Sequence, residues 1–143
     1  MKRDTVCIIP ARYDSSRFPG KPLADLCGKP MIQHVYERAA RAAALPYVAV
    51  ATDDRRIFDA VKKFGGNAVM TAATHRSGTD RIAEAVRFFD LAPDAIVVNI
   101  QGDQPIFAPE QVDEVIGPLL QDPSLPMSTL IYKIVLDEEI THP

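Results

Sequence analysis

Apolar residues follow two rhythms along this chain. Thr5 to Ile9 and Ala95 to Ile100 are short apolar runs without polar alternation, the pattern of strands covered on both faces of a parallel sheet. The first is expected to stop at Pro10. Met31, Ile32, Val35, Ala39 and Ala42 instead recur at helical spacing, which predicts a helix from Pro30, a residue suited to a first turn, to about Ala44. Tyr47 to Ala51 reads as a strand ending at Thr52 and Asp53. Ile57, Ala60, Val61 and Phe64 mark a second helix closed by Gly65 and Gly66, and Ala68 to Met70 a short strand. Ser77 and Asp80, three apart, have the form of a capping box opening a helix with Ile82, Ala83 and Val86 inward. Gln111 to Leu120 predicts a further helix and Met127 to Val135 a longer strand.

Strands and helices thus alternate, which implies one α/β domain with a mostly parallel, doubly wound, Rossmann-like sheet, right-handed crossovers and helices on both faces. No internal repeat, low-complexity tract or linker interrupts the series. Ligands of such folds bind outside the carboxyl ends of the strands. Three loops are singled out by that rule.

The first runs from Ala11 to Lys29 and brings Arg12, Arg17 and Lys21 together at a strand's carboxyl end, with Ser15, Ser16 and Gly20 leaving main-chain donors accessible. Backbone N–H groups and cations in one loop can wrap a polyphosphate. It is not a Walker A loop, because Ser15 stands where the first glycine belongs and Pro22 follows Gly20 and Lys21. The plain alternative is a solvated basic loop with a Pro-Gly turn. The second loop, Thr71 to Asp80, carries His75, Arg76, Ser77 and Gly78 at a helix start, where free amides can meet an anion or a base edge. Ser77 as a simple N-cap and His75 as a surface histidine are the competing readings. In the third loop Asp103 follows a buried strand, with Gly102 allowing a sharp turn and Pro105 fixing the exit. One carboxylate opposite a basic loop suits magnesium, which completes its octahedron with waters and substrate phosphates. An Asp that merely tightens the loop is the alternative.

Composition narrows the classes. At 143 residues, 47% hydrophobic, 24% charged and net charge -3, the chain is an ordinary globular sequence without the basic face that nucleic acid requires. No apolar run is long enough to span a bilayer and the start is too polar for a signal peptide, so a cytoplasmic protein is expected. Cys7 and Cys27 lack metal or disulfide spacing and read as reduced packing residues.

The segments IPARYDSSRFPGKPL, THRSGTDRIAE and VNIQGDQP, with GKPMIQHVYERA and ATDD between them, resemble the 3-deoxy-manno-octulosonate cytidylyltransferases over essentially the whole chain. The first motif is shared with other sugar nucleotidyltransferases, the acylneuraminate cytidylyltransferases among them; the middle one is more specific. The resemblance implies a nucleotidyltransferase fold, CTP as donor, 3-deoxy-manno-octulosonate as acceptor, Mg2+ as cofactor, a homodimer and a role in lipopolysaccharide synthesis. It implies that Arg12 and Lys21 act on the triphosphate as catalytic groups, with Ser15 and Arg17 supporting the same loop. Ala11 would offer backbone contacts to cytosine, Ser77 would lie near the base, Gln101 would touch base or sugar, and Asp103 would bind the metal. Asp14 departs from the small residue common in the family and is expected to face solvent. Family members continue past Pro143 with the sugar-binding residues, a second metal-binding aspartate and much of the dimer contact. Residues 1–143 therefore read as the N-terminal nucleotide-binding part, from a shortened protein or a broken gene, and a catalytically silent CTP-binding fragment or a cytidylyltransferase for another acidic sugar such as neuraminic acid are the alternatives.

Overall fold

The computed structural model describes residues 4–14 and 18–131. Its centre is a four-stranded parallel sheet of β1 (Thr5–Ala11), β4 (Val48–Thr52), β5 (Ala68–Met70) and β6 (Ile96–Asn99), in the order β5-β4-β1-β6. A two-stranded antiparallel hairpin of β2 (Asp25–Leu26) and β3 (Lys29–Pro30) precedes α1 (Met31–Ala39). Then come α2 (Arg55–Lys63), α3 (Gly78–Ala85) and α4 (Pro109–Gln121). Side-chain alternation along β1 splits the core in two. Cys7, Ile9 and Ala11 face α1, α2 and α4 through Ile32, Val35, Ile57, Val61, Val112 and Ile116, while Val6 and Ile8 face Ile82 and Ala85 of α3. The split follows from handedness. The chain moves outward from β1 to β4 to β5 and then jumps back across β1 to β6, so right-handed crossovers put α3 on the opposite face from α1 and α2. The doubly wound expectation therefore holds, and the strand order reverses between β1 and β6.

Several boundaries differ from the sequence reading, each for a tertiary reason. β1 runs through Pro10 to Ala11. The Cys7 N–H donates to Tyr47 O at 3.0 Å, so odd positions of β1 point at the β4 side and Pro10 points at the β6 side; β6 ends opposite Ile8, at Asn99, so the missing donor is not needed there. α1 stops at Ala39 and not near Ala44, because Asp113 of α4 accepts the N–H groups of Ala44 at 2.8 Å and Ala43 at 3.4 Å in place of a continuing helix. Ala42 and Leu45 still reach the core from the turns that follow. On α3 the buried set is Arg81, Ile82 and Ala85, and Ala83 is exposed; Val86 is half-buried in a short 3-10 turn. Among the described residues β6 is covered on one face only, its residues alternating buried and exposed with Val97 40% exposed. Residues 127–131 of the expected last strand have no regular structure, and the rest of that strand lies outside the described residues. Cys7 is buried, its thiol pushed up to about 12 by desolvation, but Cys27 is exposed at φ 53 in the β2–β3 turn and does not pack.

Candidate functional site

All three loops converge on Pro10. A Cβ on Gly102 would stand 2.9 Å from Pro10 O and 3.4 Å from Ala11 Cβ, and one on Gly78 would stand 3.1 Å from Pro10 Cγ. Both glycines are therefore close-approach residues. Gly102 also sits in the turn expected from the sequence, closed by the Gln104 N–H donating to Gln101 O at 3.1 Å, and it does so without the positive φ that among the glycines is confined to Gly20, Gly28 and Gly65. This convergence sits at the carboxyl ends of β1 and β6, where the strand order reverses and where open α/β sheets place their ligands.

The first loop presents Lys21 through a short 3-10 turn, Lys21–Leu23, capped by Gly20 at φ 72. Gly20 donates its N–H to Tyr13 O at 2.8 Å, and a Cβ there would meet the Tyr13 ring at 2.9 Å. Positive φ and lack of space exclude a side chain at this position for separate reasons. Lys21 Nζ then lies 3.0 Å from Asp103 Oδ2, joining the first loop to the third. Arg12 is exposed and lines the cleft, and Asp14 is exposed as expected. Ser15 and Arg17 lie outside the described residues.

The other wall is the start of α3. Ser77 Oγ accepts the Asp80 N–H at 3.1 Å and donates to Asp80 Oδ2 at 2.8 Å. Only half of the expected capping box forms, because the shorter Asp80 side chain takes the hydroxyl and not the backbone N–H of Ser77. Gln101 is held by a bond from its Nε2 to Asn99 Oδ1 at 3.0 Å, which leaves its Oε1 turned toward Gly78. His75 Nε2 meets Glu84 Oε2, and the same oxygen accepts the Ala72 N–H at 3.0 Å. That contact with His75, then the Ala72 N–H, hold the Glu84 carboxyl below its ordinary value.

Behind this wall sits a residue that sequence reasoning missed. Arg81 is 3% exposed and its guanidinium bonds Thr71 Oγ1, reaches Ala72 O at 3.5 Å and pairs with Asp53 Oδ2 at 3.3 Å. It ties the carboxyl ends of β4 and β5 to the first turn of α3. The signal was an arginine within one turn of an N-cap on a helix otherwise read as apolar inward. Helical periodicity scores only apolar residues, so it passed unnoticed.

Together Pro10, Ala11, Arg12, His75, Ser77, Gly78, Arg81 and Gln101 line a cleft with about 90 Å³ of free space, polar over most of its wall, and Lys21 and Asp103 bridge the same two loops. The predicted residues Ala11, Arg12, Ser77 and Gln101 share this one cleft. Among the described residues no group of three or more His, Cys, Asp or Glu could enclose a metal. The donor set fits a cation held by a single carboxylate and completed by ligand phosphates and water, and does not fit a closed protein cage.

Residues 6–143 match the family model for cytidylyltransferases. The chain belongs to the cytidylyltransferase family. A 3-deoxy-manno-octulosonate cytidylyltransferase from Syntrophus aciditrophicus is 74% identical over 138 residues, 96% of this chain and 56% of its own length. An 8-amino-3,8-dideoxy-manno-octulosonate cytidylyltransferase from Shewanella piezotolerans is 54% identical over 137 residues, 95% of this chain and 56% of its own length. Among solved structures, a CMP:2-keto-3-deoxy-manno-octonic acid synthetase complexed with CTP superposes with a TM-score of 0.82 at 50% identity, covering 86% of this chain and 50% of that one. A 4-diphosphocytidyl-2C-methyl-D-erythritol synthase, at TM-score 0.65 and 16% identity over 82% of this chain and 55% of its own, shares the fold alone. The chain thus spans little more than half the length of the curated cytidylyltransferases it matches.

Proposed function

We propose that the protein carrying this chain transfers CMP from CTP to 3-deoxy-manno-octulosonate with release of pyrophosphate, activating the sugar for lipopolysaccharide synthesis. The observation that carries the reading is the 3.0 Å approach of Lys21 Nζ to Asp103 Oδ2 across the β1/β6 crevice. A cation for the triphosphate and an acid for Mg2+ stand there within one ligand's reach. The names of the similar enzymes and the CTP complex of the solved relative support it.

In this reading the sugar's anomeric hydroxyl attacks the α-phosphorus and the bond to the β-phosphate oxygen breaks, pyrophosphate leaving in line. Phosphoryl transfer asks a protein mainly for positioning and charge neutralisation. Arg12 and Lys21 supply positive charge to the triphosphate and leaving group, while Ser15 and Arg17 belong to the same loop. Asp103 would hold Mg2+, which supplies further neutralisation of the phosphates when bound. Ala11 and the α3 N-terminus at Ser77 flank the base, with Gln101 between base and sugar. A homodimer in the cytoplasm is part of the same proposal. Among the described residues no helix is long and apolar enough to cross a membrane.

The test is pyrophosphate release by the protein carrying this sequence, with Mg2+, CTP or UTP, and as acceptors 3-deoxy-manno-octulosonate, its 8-amino-8-deoxy analogue and a neuraminic acid. Release with CTP and the first acceptor is expected. Preference for another acceptor moves the substrate, equal use of UTP removes the base assignment, and no release with any pair sinks the enzyme reading. Calorimetry on residues 1–143 alone separates a CTP-binding fragment, which binds without turnover, from a complete catalyst.

A further inference from the structure

Arg56, in the first turn of α2, is remote in sequence from all three loops, yet its guanidinium carbon lies 3.3 Å from the centroid of the Tyr13 ring. Such close stacking needs the planar head held flat. Asp54, the N-cap of α2, does this by accepting Arg56 Nε at 3.0 Å and Nη2 at 2.6 Å on its two carboxylate oxygens, a two-point grip that fixes the plane as well as the position. The Arg56 backbone N–H closes the same cap on Asp54 at 2.8 Å. The Tyr13 ring, half-buried, is backed by Gly20: a Cβ on Gly20 would meet Cζ at 2.9 Å and the hydroxyl oxygen at 3.0 Å, and Gly20 N–H bonds Tyr13 O at 2.8 Å. Gly20 in turn caps the turn that carries Lys21.

We propose that Arg56 is a positioning residue for Lys21, acting through Tyr13: the Asp54-held guanidinium presses the ring against Gly20 and so sets the turn that aims Lys21 at Asp103. Arg56 touches neither Lys21 nor Asp103 itself. Its contribution depends on shape as well as charge, because an ammonium makes neither the two-point bond to Asp54 nor a flat stack on the ring. The neighbouring Arg55 points elsewhere, bonding Asp59 at 2.9 Å, and serves as the control for any general effect on α2.

The kinetic half of the test rests on the CTP reading above, and the other half does not. In the protein carrying this sequence, Arg56→Ala is expected to raise KM for CTP about fivefold and to lower kcat as well, because Lys21 in the proposed role meets charge on the bound triphosphate and on the leaving group. KM for the sugar should stay as it was. Trypsin cleavage after Arg12, in the absence of nucleotide, should speed up by a similar factor as the ring loses its lid. Arg56→Lys should behave as Arg56→Ala, and Arg55→Ala as the unaltered protein. Unchanged KM and cleavage in Arg56→Ala, or full rescue by Arg56→Lys, overturn the proposal, the second by reducing Arg56 to a plain charge. If the unaltered protein does not turn over CTP while cleavage still accelerates in Arg56→Ala, the enzyme reading falls and the clamp stands.

Discussion

One wall of the wider site is the bridge between the first and third loops, beside the residues that line the cleft, where Lys21 and Asp103 pair at 3.0 Å with 37% and 54% of their side chains in water; on the other, Arg81 pairs with Asp53 at 3.3 Å with 4% and 21% exposed. An exposed pair contributes roughly 0–1 kcal/mol and is screened by salt, so it opens at little cost when a polyphosphate offers better partners. A buried guanidinium that loses a partner leaves an uncompensated charge, which costs several kcal/mol. The first wall is therefore suited to exchange and the second to hold still. A nucleotide site needs both, a place where charge is rearranged and a frame against which the base can be read.

The largest expected effect breaks the second wall. Arg81→Met strands Asp53, and because that carboxylate keeps a fifth of its side chain in water the loss of stability should fall near the lower end of the buried-pair range, about 3 kcal/mol, in chemical denaturation. A loss under about 1 kcal/mol would erase the distinction between the walls. Lys21→Ala should do the opposite, reducing CTP affinity by on the order of 1.5 to 3 kcal/mol in calorimetry while stability moves by no more than about 1 kcal/mol. Unchanged affinity would take Lys21 out of the site. Gly102→Ala tests the joint between the walls: with the new methyl 2.9 Å from Pro10 O the loop must shift, at a cost on the order of 1 kcal/mol, and Asp103 moves with it. The smallest effect concerns the cap of α2. Arg56, through its side-chain bonds first, holds the Asp54 carboxyl below its usual 3.8, so the stabilisation is fully present above that value and is lost as pH falls through it and below. Asp54→Asn keeps a capping oxygen and removes the charge. The stability gap between it and the unaltered protein should be constant from pH 7 to about 5 and close in more acid solution; a gap that persists at the lowest pH would mean the charge is not what Asp54 contributes.

Much of this was legible beforehand, and the misses have particular causes. Thr5 to Ile9 and the apolar periodicity of α1 and α2 specify their elements through burial, which a single sequence carries. The placement of Arg12, Lys21 and Asp103 at the carboxyl end of the sheet was visible because each follows a segment whose apolar run marks it as a strand. Arg81 and Arg56 were not read, and Gly102 was read as a turn but not as a close approach to another strand. Each acts through a contact with a residue tens of positions away, Asp53, Tyr13 and Pro10 respectively, and no local pattern marks such a partner. The end of α1 belongs with them, because Asp113 of α4 terminates it.

By itself, then, the sequence determined which segments are strands and helices, that they alternate, and that charged groups lie in the loops at one end of the sheet. Periodicity and loop chemistry are local, and local preferences suffice for that much. Only the tertiary structure decided that Lys21 meets Asp103, that Gly78 and Gly102 both close upon Pro10, and which arginine is buried and which is stacked. Those outcomes depend on strand order and on the available space between chains of atoms far apart in sequence, and both exist only once the sheet has assembled.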